Sequence, residues 1–132
     1  MPACFTSSTR IGASIGLAAL ALVTLDAAAQ PRGVACPARL GGMPLSTVDV
    51  FDGPPAELAI LKPDISRRRR TGWVSTWDVS YIHRTGRRIY LQCIYGGISL
   101  AVPGTKSVVL PVPRAKLCRW TERGKFKSMS CV

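Results

Sequence analysis

The sequence predicts a mainly β domain, a small antiparallel barrel or sandwich of five to seven short strands with one short helix and two disulfides. Three observations lead there. Apolar and polar residues alternate over short runs spaced 8–12 residues apart, the period of a half-buried strand. Clusters of Gly, Pro, Asp and Ser punctuate the runs as turns. Four cysteines follow an export signal, the arrangement of a small disulfide-stapled exported domain.

The export signal comes first. Arg10 is the only charge ahead of an apolar run over residues 11–25. Those 15 residues fall short of the ~20 needed to cross a hydrocarbon core. Ala27 and Ala29 form the small-x-small pattern that signal peptidase accepts, so cleavage is expected after Ala29. Residues 1–29 are then a signal peptide, residues 30–132 a single domain, and the product periplasmic or secreted.

Residues 30–46 are rich in Pro, Gly and small side chains and read as mostly irregular. Thr47-Val48-Asp49-Val50-Phe51 reads as a short strand, stopped by Asp52-Gly53-Pro54-Pro55 because proline brings no ladder N–H. Residues 56–61 suit one or two helical turns, with Pro55 at the first helical position and Pro63 as the stop. The run Arg67-Arg68-Arg69-Arg70-Thr71-Gly72 reads as a charged loop. Over residues 73–82, Trp73, Ser75, Trp77, Val79 and Tyr81 share one parity, the mark of a strand. Residues 83–87 form a basic turn, and residues 88–95 a strand with Ile89, Leu91, Cys93 and Tyr95 on one face. Strands are expected over 98–102 and 106–112, on either side of Pro103-Gly104. Residues 115–121 and 126–131 flank Glu122-Arg123-Gly124-Lys125 as a hairpin.

Cys4 leaves with the signal, and Cys36, Cys93, Cys118 and Cys131 remain. Their spacings of 57, 25 and 13 residues contain no C-x-x-C pair, which argues for disulfides over zinc. Three pairings are open. Cys93–Cys118 with Cys36–Cys131 is favoured because it pins both chain ends, while a turn at Gly124-Lys125 would set Cys118 opposite Cys131 instead.

Several segments together resemble a known family. They are the early Cys36-Pro37, the Val50-Phe51-Asp52-Gly53-Pro54-Pro55 stretch, Tyr90-Leu91-Gln92-Cys93-Ile94-Tyr95-Gly96, Cys118-Arg119-Trp120 and Ser128-Met129-Ser130-Cys131. As a set they are similar to a family of small exported proteobacterial proteins named after an enterobacterial locus tag, with no assigned function. The resemblance implies a shared fold and export. It implies no catalytic residue, and the four-arginine run is not part of its pattern.

The inventory of chemical groups is thin. His83 is the single histidine, so a multi-histidine metal site within one chain is impossible. Along a strand, Asp78 and Ser80 would point away from His83, and no Gly-x-Ser-x-Gly elbow or phosphate-binding glycine loop is present. Asp49 and Asp52 are the only closely spaced carboxylates after the signal. No catalytic residue, cofactor or metal is expected.

Charge is the unusual feature: 18 Lys and Arg against 7 Asp and Glu, a net charge of +11. Arg67, Arg68, Arg69 and Arg70 form one cluster; Arg84, Arg87 and Arg88 a second; Arg114, Lys116, Arg119, Arg123, Lys125 and Lys127 a third. Guanidinium forks grip phosphate and carboxylate bidentately. The first two clusters are therefore candidate anion-binding residues, set against the plain alternative of a solvated surface. The expected function is a non-enzymatic binding or envelope-accessory module. Its expected partner is an anionic envelope polymer: lipopolysaccharide, a phospholipid surface or acidic polysaccharide. The alternative is an inhibitor of an acidic secreted hydrolase, since a chain this basic would repel a basic enzyme.

Overall fold

The computed structural model describes residues 33–132; the expected signal peptide and its cleavage site after Ala29 lie outside the described residues. Among the described residues nine strands form two antiparallel sheets that are not closed into a barrel. They are β1 (Val34–Ala35), β2 (Arg39–Leu40), β3 (Met43–Asp52), β4 (Ile65–Arg69), β5 (Gly72–Asp78), β6 (Ile89–Tyr95), β7 (Lys106–Val112), β8 (Leu117–Arg123) and β9 (Phe126–Cys131). A 3-10 turn, Pro55–Glu57, and one short helix, α1 (Ser80–Arg84), complete the described residues. The five-stranded sheet runs β1-β9-β8-β5-β4 and the four-stranded sheet β2-β3-β6-β7.

A side-chain period of two sends alternate residues to opposite faces, and the inner faces of both sheets meet in one core. Val50, Ile89, Leu91, Cys93 and Val112 come from the four-stranded sheet. Trp77, Cys118, Trp120, Met129 and Cys131 come from the five-stranded sheet. The expected parity of residues 89–95 and 73–77 is what the structure shows. Trp77 is buried and its indole N–H donates to the Leu61 carbonyl at 3.1 Å, so its one polar atom is satisfied.

The disulfides close differently from the favoured pairing. The β8–β9 hairpin sets Cys118 directly opposite Cys131, and these two are bonded with 4.0 Å between Cα atoms. Cys36 follows β1 and bonds Cys93 on β6, with 5.8 Å between Cα atoms. One bridge staples a hairpin; the other ties the two sheets together. The Gly124-Lys125 turn decides this, because hairpin register fixes neighbours before chain ends can meet.

Four element expectations fail for local reasons. The irregular stretch 30–46 contains β1, β2 and the start of β3, which runs ten residues rather than five. The helical turns expected over 56–61 shrink to one 3-10 turn; Ile60 instead bridges to Phe51, covering the free edge of β3. The strand expected over 73–82 stops at Asp78, whose carboxylate accepts from the Ser80 N–H at 3.0 Å and hydroxyl at 2.6 Å. That local side-chain turn leads into α1, so His83 and Arg84 sit on a helix and Tyr81 is half exposed. Residues 98–102 form turns, not a strand, since Val102 N–H donates to the Ser99 carbonyl and Thr105 N–H to the Val102 carbonyl.

A fifth expectation fails as well, and it matters most. The arginine run is no loop: Arg67, Arg68 and Arg69 lie on β4, hairpinned to β5 through the two-residue turn Arg70-Thr71. Gly72 closes that turn, and a Cβ there would stand 1.7 Å from the Glu122 carbonyl oxygen of β8. Backbone cannot yield as a side-chain end does. Gly72→Ala is therefore expected to destabilise the domain by about 2–3 kcal/mol, read by urea denaturation.

Asp49 lies on the outer face of the four-stranded sheet, in register with Gln92 and, beyond it, Val109. Partial burial pushes its carboxyl above the ordinary value of 3.8. The folded state then holds the proton more tightly than the unfolded chain, so stability falls as pH rises through this window and stays lower at neutral pH. Asp49→Asn is expected to raise Tm at neutral pH, with the gain vanishing below the unfolded value of 3.8.

Candidate functional site: an arginine-lined sheet face

The outer face of the five-stranded sheet gathers arginines that are far apart in sequence. Register places Arg67 beside Val74, which pairs with Thr121; Arg69 beside Gly72, which pairs with Arg123; and Ile65 beside Thr76, which pairs with Arg119. Arg67 and Arg69 therefore share one face with Arg119 and Arg123. Together with Arg70 and Val74 they line a groove of about 780 Å3. Two of the expected clusters thus meet on one surface: most of the first, and part of the third.

Arg68 has the opposite parity. It pairs with Trp73, which pairs with Glu122, at the end of the sandwich beyond the core. Trp73 shares the parity of Ser75 and Trp77 but is 42% exposed there, outside the core that Trp77 joins. At the β8–β9 turn Phe126 is 82% exposed, in register with Arg123. Arginine and exposed aromatic side chains are enriched at the hot spots of protein interfaces.

The second expected cluster is divided. The Arg87 guanidinium donates to Asp52 Oδ1 and to Glu57 Oε2, both at 2.6 Å, and these two carboxylates hold its proton more tightly than usual. It pins the 3-10 turn to the end of β3 and is largely neutralised. Arg84 and Arg88, with Arg87 between them, border a separate hollow of about 660 Å3 that His83, Arg114 and Lys116 also line. Lys127, from the third cluster, points inward; its ammonium donates to the Ser46 carbonyl at 3.0 Å and stands 3.8 Å from Glu122.

No hydrogen bond joins His83 to Asp78 or Ser80 among the described residues, and the His83 Nε2 is buried without a partner. Among the described residues no group of three His, Cys, Asp or Glu side chains is placed to hold a metal ion. No helix among them is long and apolar enough to cross a membrane.

Sequence reasoning found the arginines but not their assembly. The missing signal was the two-residue turn at Arg70-Thr71, which alone converts a charge run into alternating positions on a strand. Arg119 and Arg123 follow the same alternation on β8.

Comparison with known proteins adds the decisive observation. The model of the type VI secretion system Tli immunity protein family matches residues 38–132, which takes in every strand from β2 to β9. No curated protein and no solved structure matches. Where the resemblance in the sequence pointed to a bacterial family without a function, this match carries one. An immunity protein counters a toxin effector. That overturns the expected function as an envelope-polymer module, and with it lipopolysaccharide, phospholipid and acidic polysaccharide as partners; the alternative of a protein inhibitor is closer. By a match over most of its length, the chain belongs to the Tli immunity protein family of the type VI secretion system.

Proposed function

We propose that this protein is a periplasmic, non-enzymatic inhibitor that binds a type VI toxin effector of lipase type and blocks it. The family match carries the reading. Two features of the chain support it. Both disulfides are buried in the core, a construction suited to an oxidising compartment. The arginine face of the five-stranded sheet has the charge and hot-spot composition of a docking surface for an acidic protein, with Arg67, Arg69, Arg119 and Arg123 as its principal contacts. The hollow bordered by Arg84 and Arg88 is smaller and separate, and Arg87 is engaged in holding its own chain.

Expression of the protein with its signal peptide is expected to protect bacteria that receive the effector in the periplasm, while the same chain without residues 1–29 is expected not to protect. Equal protection by both would contradict the periplasmic part of the proposal, and protection by neither the inhibitory part.

A further inference from the structure

Strand β4 is an edge: among the described residues it pairs with β5 on one side and with nothing on the other, and all five of its residues are exposed. Other long edges are covered or blunted. The start of β3 is covered by β2 and its end by Ile60, while β7 carries Pro111, which removes a ladder N–H. Among the described residues only β4 offers a long, proline-free edge beside a charged groove.

Register shows which backbone groups are free. The two-residue turn makes Arg69–Gly72 the hydrogen-bonded closing pair of the hairpin. Bonded and non-bonded pairs alternate in an antiparallel ladder. Arg67–Val74 and Ile65–Thr76 are therefore bonded, and Asp64 N–H donates to the same Thr76 carbonyl at 2.9 Å as a β-bulge at the strand's start. The N–H and C=O groups of Ser66 and Arg68 face outward, away from β5. On either side of them the Arg67 and Arg69 side chains lean over the groove.

We infer that β4 accepts an extended acidic segment of the effector as a sixth strand. The segment hydrogen-bonds the Ser66 and Arg68 backbone, and its carboxylates at alternate positions lie beside Arg67 and Arg69. Main-chain bonds give affinity in this mode of recognition and alternate side chains give specificity. Neighbouring strands bring facing side chains to about 5 Å, close enough for a guanidinium to take a carboxylate bidentately. The four-arginine run is then more than a charged guard against edge aggregation. This inference rests on the effector-binding reading above.

The test compares Arg68→Pro with Arg68→Ala against the purified effector. Proline at 68 removes an outward N–H and no β4–β5 bond, so the fold is expected to survive, while binding weakens by about tenfold or more. Arg68→Ala keeps the N–H and is expected to bind within about threefold of wild type. Amide hydrogen exchange on the wild-type complex provides a second readout that needs no variant: Ser66 and Arg68 N–H groups are expected to become protected when the effector is added. Unchanged binding by Arg68→Pro, or unprotected Ser66 and Arg68 amides in a formed complex, would overturn strand addition and leave the immunity reading standing. Absence of any complex with the wild-type chain would overturn both.

Discussion

Reversing Arg67 and Arg69 to Glu is expected to abolish neutralisation of the effector while leaving the fold intact. Both side chains are exposed on an edge strand and make no hydrogen bond or ion pair among those the structure shows for the described residues. Surface substitutions of that kind usually change stability by under about 0.5 kcal/mol. Binding is another matter. An interfacial arginine at a hot spot is worth about 2 kcal/mol or more, and reversal adds repulsion to the loss, so the double variant is expected to bind about a thousandfold more weakly. Arg84→Glu with Arg88→Glu, at the other hollow, is the matched control and is expected to bind like wild type. Competition for the effector in an inhibition assay reads both. A weak Arg67/Arg69 variant with an unchanged Tm would locate the docking face; equal affinities would remove it from this sheet.

The largest effect on stability is expected from the Cys36–Cys93 bridge. It closes a span of 57 residues, against 13 for Cys118–Cys131. On the loop-entropy relation the first constrains the unfolded chain by about 4 kcal/mol and the second by about 3 kcal/mol. The difference is reinforced by position. Among the described residues Cys36–Cys93 is the one disulfide that ties the sheets together, whereas Cys118 and Cys131 are held opposite each other by hairpin pairing in any case. A Cys36→Ala, Cys93→Ala variant is therefore expected to lose more stability in urea than a Cys118→Ala, Cys131→Ala variant, and to lose cooperativity between the sheets. The reverse order would mean that hairpin closure, not sheet coupling, limits the fold.

Much of the architecture was legible where side-chain alternation is strong. Ile89, Leu91, Cys93 and Tyr95 on β6, and the pair of strands around Gly124, follow directly from period two and a turn. What escaped was set by interactions that alternation does not encode. Asp78 ends a strand by accepting from Ser80, a side-chain device two residues long. Ile98 and Leu100 look like strand residues but find no partner between two glycine-containing turns, and both are exposed. Arg67, Arg68 and Arg69 look like a loop because charge is rare inside a sheet; at an edge it is tolerated, and only the β4–β5 register reveals it. The candidate site was half legible for the same reason. Its arginines could be named from the sequence, but their convergence with Arg119 and Arg123 depends on a strand order, β8-β5-β4, that brings residue 67 near residue 121. The partner was misread because a basic surface by itself does not distinguish a polymer of phosphates from an acidic protein.

Titration of purified effector with the purified chain, followed by residual effector activity at several salt concentrations, tests the account most directly. Neutralisation is expected to be complete at stoichiometric amounts of the chain, with affinity that falls as salt rises, as the proposed meeting of an acidic segment with the arginine face requires. Wild-type effector activity in the presence of excess chain would contradict the immunity reading. Tight neutralisation that neither salt nor reversal of Arg67 and Arg69 weakens would contradict the arginine face as the surface that delivers it.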